Sequence, residues 1–306
     1  MKHLGMALVV ALLLSSAAAK ADELRLGHFM PPQHPMDRMI MTPMAEAYNA
    51  TEGVDSPISI FGAGELGQGP QQQYRRVVTG VMDIAFILPG FAEANFPVLT
   101  SYEVPGRFAS GPEATEAMWG AMDELSGEME RVVPLAVWAN NPTILITVDR
   151  PVRTPADMEG LKVRVANSRA AEIITAWGGL PVNMPPTEAY LALSTGVVDA
   201  IYIDPSAIRT YSLQEVTGYA TVNIPGAIST FLLAMNSDAH AGLSEAERSA
   251  LSAASGEALS MQATSVFEGA GLAGLALAEE SGMELITLTD AEISAFDALS
   301  PFSENN

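Results

Sequence analysis

The sequence contains no cysteine, which removes disulfides, thiolate metal sites and cysteine nucleophiles together. Cations are also scarce: 15 Lys and Arg stand against 36 Asp and Glu, a formal net charge of -21. A surface so acidic repels nucleic acid and anionic membrane, and no nucleic-acid partner is expected. There are four histidines. His28 and His34 lie close together but lack acidic partners at metal-ligand spacing, so neither a metal nor a cofactor is expected. No G-x-S-x-G, H-E-x-x-H or G-x-x-x-x-G-K pattern occurs, which leaves enzyme readings without a motif.

What is present is a globular composition, with 48% hydrophobic and 17% charged residues over 306 positions. That length exceeds what one compact core usually holds, so two lobes are expected. Residues 1–21 read as a secretory signal. A short basic start is followed by the apolar run Leu4 to Leu14, shorter than the about 20 residues of a membrane span, and by Ala19-Lys20-Ala21 as a small-x-small cleavage site. No twin arginine is present, so export of the unfolded chain to the periplasm is expected.

The stretch from Thr154 to Pro205 carries the strongest pattern. Thr154, Pro155 and Asp157 form a helix start. Leu161 to Val165 alternates, with Leu161, Val163 and Val165 on one face and Lys162 and Arg164 on the other. A helix from Ser168 to Trp177 closes at Gly178-Gly179, a second strand surrounds Val182, and a third runs from Val197 to Ile203. The order βαβαβ predicts a parallel sheet with Arg164 near a strand end. A guanidinium there, with no acid beside it in sequence, suits a bidentate grip on a carboxylate. Lys162 is read as structural.

An internal echo links the two halves. Tyr74 precedes Gly80 by six residues and Tyr190 precedes Gly196 by six; TGVMDIAF (79–86) then matches TGVVDAIY (195–202). Both read as a helix closing on glycine and passing at once into a buried strand, which predicts two lobes of similar build with a cleft between facing strand ends. Asp37 to Ala50 reads as a helix that Pro43 should interrupt, and Glu113 to Arg131 as another. Phe231 to Asn236 is expected to return to the first lobe. Ser244 and Glu247 make a capping box before a long helical stretch to about Glu280, weakened by glycines at 256, 269, 271 and 274.

GLKVRV (160–165) and GGLPVNMPPTEAYLALSTGVVDA (178–200), supported by HFMPPQHPM (28–36), FGAGELGQGPQQQYRRVVTGVMDIAF (61–86) and TFLLAMNSDAH (230–240), resemble the solute-binding proteins of TRAP transporters, the dicarboxylate-binding type. The resemblance implies an α/β, two-lobed periplasmic binding protein fold of type II kind, with a ligand cleft between the lobes and a long helix bracing both. The lobes are expected at 22–142 with a return segment 230–245, and at 143–229 with 283–306; the brace is expected at 246–282. The implied function is reversible capture of a small organic acid by a monomer that delivers it to TRAP membrane subunits. In this family the GLKVRV arginine, here Arg164, binds the ligand carboxylate.

Around Arg164, Phe29, Phe86, Tyr202 and Phe231 are candidates for the cleft wall, and Asn140 and Asn141 for orienting ligand oxygens. The segment TGVVDAIYIDP departs from the family pattern, with Tyr202 and Asp204 where an amide or acid is common. Asp204 either meets a ligand amine or hydroxyl or caps the next helix. GAGELG (62–67) fits the dinucleotide fingerprint G-x-G-x-x-G, but Asp83 lies only sixteen residues on and at a strand's start, so a tight turn is preferred. A periplasmic hydrolase on the same fold is the alternative, because a triad is assembled in space rather than in sequence.

Overall fold

The computed structural model describes residues 23–302; the expected signal segment lies outside them. The first sheet is built from β1 (Leu24–Gly27), β2 (Ile58–Phe61), β3 (Ile84–Ile87), β4 (Val132–Ala139) and β10 (Thr230–Asn236), in the order β2-β1-β3-β10-β4. The second holds β5 (Ile144–Thr147), β6 (Lys162–Val165), β7 (Leu180–Asn183), β8 (Ala200–Ile203), β9 (Tyr219–Thr221) and β11 (Glu284–Ile286), in the order β11-β9-β5-β8-β6-β7. In each sheet a central strand pairs in parallel on both sides: β1 with β2 and β3, and β6 with β7 and β8. An antiparallel strand that crosses from the other half of the chain then follows, β10 beside β3 and β5 beside β8. The echo read from sequence is therefore a repeated topology, and each sheet is mixed rather than purely parallel. The fold is the expected two-lobed α/β architecture.

The repeated TGV-x-D segments make the same bonds in both lobes. Asp83 accepts from the Arg25 backbone amide at 2.8 Å and from its side chain at 3.0 Å, while Arg25 also donates to the Gly80 carbonyl. Asp199 accepts from the Lys162 amide at 2.9 Å and lies 3.7 Å from its ammonium, which donates to the Gly196 carbonyl. Gly80 and Gly196 adopt φ of 73° and 72°, the left-handed conformation that ends each helix and turns the chain into the strand. Lys162 is thus part of the scaffold.

The lobes are joined by two crossing segments and one helix. Residues 140–143 and 227–229 bond to each other where they pass: Asn140 N to Ser229 O at 3.2 Å, Ser229 N to Asn140 Oδ1 at 2.7 Å, and Thr143 N to Ala227 O at 2.9 Å. The long helix, Glu257–Glu280, begins after Gly256, whose φ of 83° breaks it from Glu245–Ala253. At 24 residues it reaches about 36 Å. Ser260 Oγ accepts from Val137 of the first sheet, and Asn141 donates to the Phe267 carbonyl. Gly274 lies against Pro205 of the second lobe.

Two helices depart from the sequence reading for identifiable reasons. The helix containing Pro43 is not broken. The helix runs on from residue 35 to Asn49, and a π-type turn, Asp37–Met41, widens it just ahead of Pro43 and accommodates the missing N–H inside it. The helix expected up to Arg131 stops at Gly120, and a short helix, Met122–Leu125, and a 3₁₀ turn, Ser126–Glu128, complete the segment.

The lobes also touch away from the crossings, at the N-terminus of the helix Ser168–Ala176. Its cap, Asn167, accepts from the Ala170 amide through Oδ1 and donates from Nδ2 to Glu103 of the first lobe at 2.6 Å. Glu93, also of the first lobe, accepts from the Ser168 amide at 3.1 Å and hydroxyl at 2.5 Å. Negative charge suits a helix N-terminus. Glu103 accepts in addition from the amide and hydroxyl of Thr230, both at 2.7 Å. Burial nonetheless pushes its carboxyl up to about 7, against the pull of the Thr230 bonds.

Two expectations follow from these contacts. The glycines of the long helix should differ in sign. Gly269 is exposed with open space at its Cβ position, so Gly269→Ala should stabilise by about 0.5–1 kcal/mol. A Cβ on Gly274 would lie 2.2 Å from the Pro205 carbonyl oxygen, so Gly274→Ala should destabilise by about 1–3 kcal/mol; urea denaturation of both variants measures this. For Glu103, a folded pKa above the unfolded value means that the native state holds the extra proton between the two. This group's contribution is then full below about 4.5 and is lost as pH rises towards about 7. Melting temperatures across that window should show a falling component that Glu103→Gln removes.

Candidate functional site

Arg164 is the third residue of β6, the central parallel strand of its sheet, in register with Val182 and Ile201. Its neighbours Val163 and Val165 are fully buried in the core on the far side, which drives Arg164 to the face that looks towards the first lobe. The side chain is 2% exposed. Nε donates to the Met184 carbonyl at 2.9 Å, just past β7, and this bond aims the guanidinium. Among the described residues no acid lies within 4.0 Å of it. Burial lowers its pKa to about 10, with Tyr211, Asp204 and Glu188 acting in the opposite sense; it stays charged at neutral pH.

The guanidinium lines a narrow cavity of about 60 Å³ between the lobes. The first lobe contributes Phe29, Met30 and His34 from the loop after β1, Phe86 and Leu88 from the end of β3, Asn140 after β4, and Ser229 and Phe231 at the start of β10. The second contributes Arg164, Asp204 and the turn and helix that follow, as far as Tyr211; the long helix adds Phe267. The rings form one connected wall. Phe29 and Phe86 lie 5.8 Å apart, Phe86 and Phe231 5.7 Å, and Phe231 and Phe267 5.0 Å, the last two pairs stacked. Trp138 backs Phe86 and Phe231 from within the core. Burial holds His34 down to about 3, so it presents a neutral ring.

Asp204 lies in the cavity wall and is also bonded to the turn that follows β8. Its Oδ1 accepts from the Ser206 amide at 3.0 Å, closing the turn before the short helix Ala207–Thr210, and the side chain also lines the cavity at 6% exposure. Burial raises its pKa, opposed by Ser206, Asn140 and Arg164.

Of the eight residues singled out by sequence, Arg164, Phe29, Phe86, Asn140, Asp204 and Phe231 meet at this one cavity. Two do not. Asn141 turns to the long helix, donating to Phe267 O at 2.8 Å and packing against Gly271. Adjacent residues of an extended chain point to opposite sides, so only Asn140 or Asn141 could face the cleft. Tyr202 lies one position out of step with Ile201 and Ile203. Its hydroxyl donates to Pro225 O and accepts from Ala227 N, and its ring packs at right angles on Trp177, beside a smaller void behind Arg164. His34, Tyr211 and Phe267 were missed. Tyr211 follows Asp204 by seven residues, two helical turns, and is the one with a spacing signal.

Comparison with known proteins agrees with this geometry. Residues 26–301 match the family described as bacterial extracellular solute-binding protein, family 7. The outer membrane transporter protein TsaT of Comamonas testosteroni is 29% identical over 267 residues, covering 82% of this chain and 75% of that protein. A TRAP periplasmic solute-binding protein from Bordetella bronchiseptica, solved with bound mandelate, superposes with a TM-score of 0.83 at 26% identity, covering 92% and 90% of the two chains. One from Rhodoferax ferrireducens, solved with copurified benzoate, gives 0.84 at 25% identity, covering 92% and 89%. No helix among the described residues is long and apolar enough to cross a membrane. With its two mirrored sheets, its bracing helix and a match that runs nearly end to end, the chain belongs to family 7 of the bacterial extracellular solute-binding proteins, the solute-binding proteins of TRAP transporters.

Proposed function

We propose that the cavity holds a small organic acid with its carboxylate on Arg164, and that the chain carries this ligand through the periplasm to TRAP membrane subunits. One observation supports the reading: a buried guanidinium, fixed through Nε and without an ion-pair partner among the described residues, faces a cavity between the lobes. Burying a cation uncompensated is costly, and a bidentate carboxylate offsets that cost. The wall of four phenylalanines suits an apolar or aromatic body, as do the mandelate and benzoate bound by the two relatives. Capture is reversible and no bond is broken. Closure of the lobes excludes water and strengthens the ion pair, and the open and closed forms differ in the surface they offer the membrane partner.

The acidic surface does not defeat this. The formal net charge of -21 repels an anion at long range, but exposed charges are screened beyond roughly 10 Å at moderate salt. Inside the closed cavity Arg164 dominates at contact distance.

Arg164→Ala should leave the fold intact and weaken binding of the best carboxylate by about 3–5 kcal/mol. Arg164→Lys should also impair it, because an ammonium loses the planar fork and the Met184 anchor. A thermal-shift screen of organic acids finds the ligand and calorimetry measures the loss; affinity unchanged in both variants would sink the proposal.

A further inference from the structure

Arg164 is not the only buried ionisable side chain on the cavity. Asp204 lies on the same wall at the end of β8, the strand next to β6, at 6% exposure. The two sense each other electrostatically but make no ion pair within 4.0 Å. The Ser206 amide and hydroxyl and the Asn140 side chain satisfy part of the roughly four acceptor sites of this carboxyl, which leaves capacity for a guest on the cavity side. The cavity thus presents a guanidinium and a carboxyl held apart, one to each end of a guest.

We infer that the cavity selects a bifunctional acid, with one carboxylate on Arg164 and a hydrogen-bond donor, hydroxyl or ammonium, on Asp204, and that it rejects a second carboxylate. This rests on the carboxylate reading of Arg164. A guest with an apolar far end would leave Asp204 desolvated and unmatched. A dicarboxylate would set like charges together where no water screens them. A hydroxyl donates to Asp204, and an ammonium also neutralises it.

The test uses two sets of acids differing only at the far end, titrated by calorimetry into the full chain at pH 7.5. One is butyrate, 4-hydroxybutyrate, 4-aminobutyrate and succinate. The other is benzoate, 3-hydroxybenzoate, 3-(aminomethyl)benzoate and isophthalate. On whichever scaffold binds, a donor-bearing member should exceed the unsubstituted acid by about tenfold, and the dicarboxylate should be weaker than both by a similar factor. Which donor leads separates the hydroxyl from the ammonium. Asp204→Asn retains the Ser206 cap and the volume; it should remove the ammonium's advantage and improve the dicarboxylate by about tenfold. Asp204→Ser, also a good cap, is the second variant should the first fold poorly.

If the order of affinities is the same in wild type and both Asp204 variants while Arg164→Ala abolishes binding, this inference is overturned and the carboxylate reading stands. If no member binds wild type, or if Arg164→Ala binds as wild type does, the carboxylate reading falls and takes the inference with it.

Discussion

A guanidinium removed from water and left without a counter-charge is the constraint around which the second lobe is arranged. Isolated, it would be expelled or would draw an acid to itself. It persists because its strand leaves it no other course. Val163 and Val165 bury themselves on one face, β7 and β8 clamp the backbone from both sides, and the Met184 carbonyl fixes Nε. The nearest acid in function, Asp204, is committed at Oδ1 to the Ser206 amide, so the turn after β8 keeps it from collapsing onto the arginine. The charge is therefore held ready by main-chain geometry rather than neutralised by a neighbour.

The duplicated topology makes the division of labour between the lobes visible. If Arg25 is aligned with Lys162 through their matching bonds to Asp83 and Asp199, Arg164 corresponds to Gly27 and Asp204 to Leu88. At Gly27 a Cβ would meet the Met82 side chain at 2.7 Å, so the first lobe has no room for a long side chain where the second carries its arginine. Leu88 gives the cavity an apolar surface where Asp204 gives it charge. One lobe has thus become a hydrophobic wall and the other the charged one, and a guest must match both when the lobes meet. Both surfaces come from strand ends, where α/β sheets generally bind ligands.

Much of this was legible from residue order alone. Arg164 was readable because alternation in a parallel strand makes a charged residue conspicuous, and the two TGV-x-D segments announced the repeat because their glycines and aspartates make the same local bonds twice. Within-strand phase was less secure. A strand end located to within one residue leaves the face of Tyr202 undecided, and the structure turns it towards Trp177. Asn140 and Asn141 were equivalent on paper and separate only because the long helix passes beside one of them. Phe267 and His34 reach the cavity through packing between segments more than two hundred residues apart in the chain, and they meet edge to face at 6.3 Å. Nothing local encodes that meeting. The Pro43 helix misled for the opposite reason, since a local rule was obeyed through a widened turn it did not foresee.

The acid excess, which at first appears to oppose capture of an anion, has local uses of its own. Several carboxylates sit where backbone amides lack partners. Asp157, Glu247 and Glu292 close capping boxes, Glu128 accepts from the amides of Val98 and Leu99, and Glu93 receives the Ser168 amide across the lobe boundary. Burial works against Glu247, yet bonds from Ser244 and Ser56 hold its carboxyl down to about 2, so the negative charge there is matched by oriented N–H dipoles. Charge used this way is spent locally and projects little field into the cleft. Among the residues that line the cavity Arg164 is the one cation and Asp204 the one carboxyl, its ionisation opposed by burial, so the acid excess lies outside the cavity. The surface charge bears on how an anion approaches, whereas the cavity itself is lined by a buried arginine and a wall of phenylalanines.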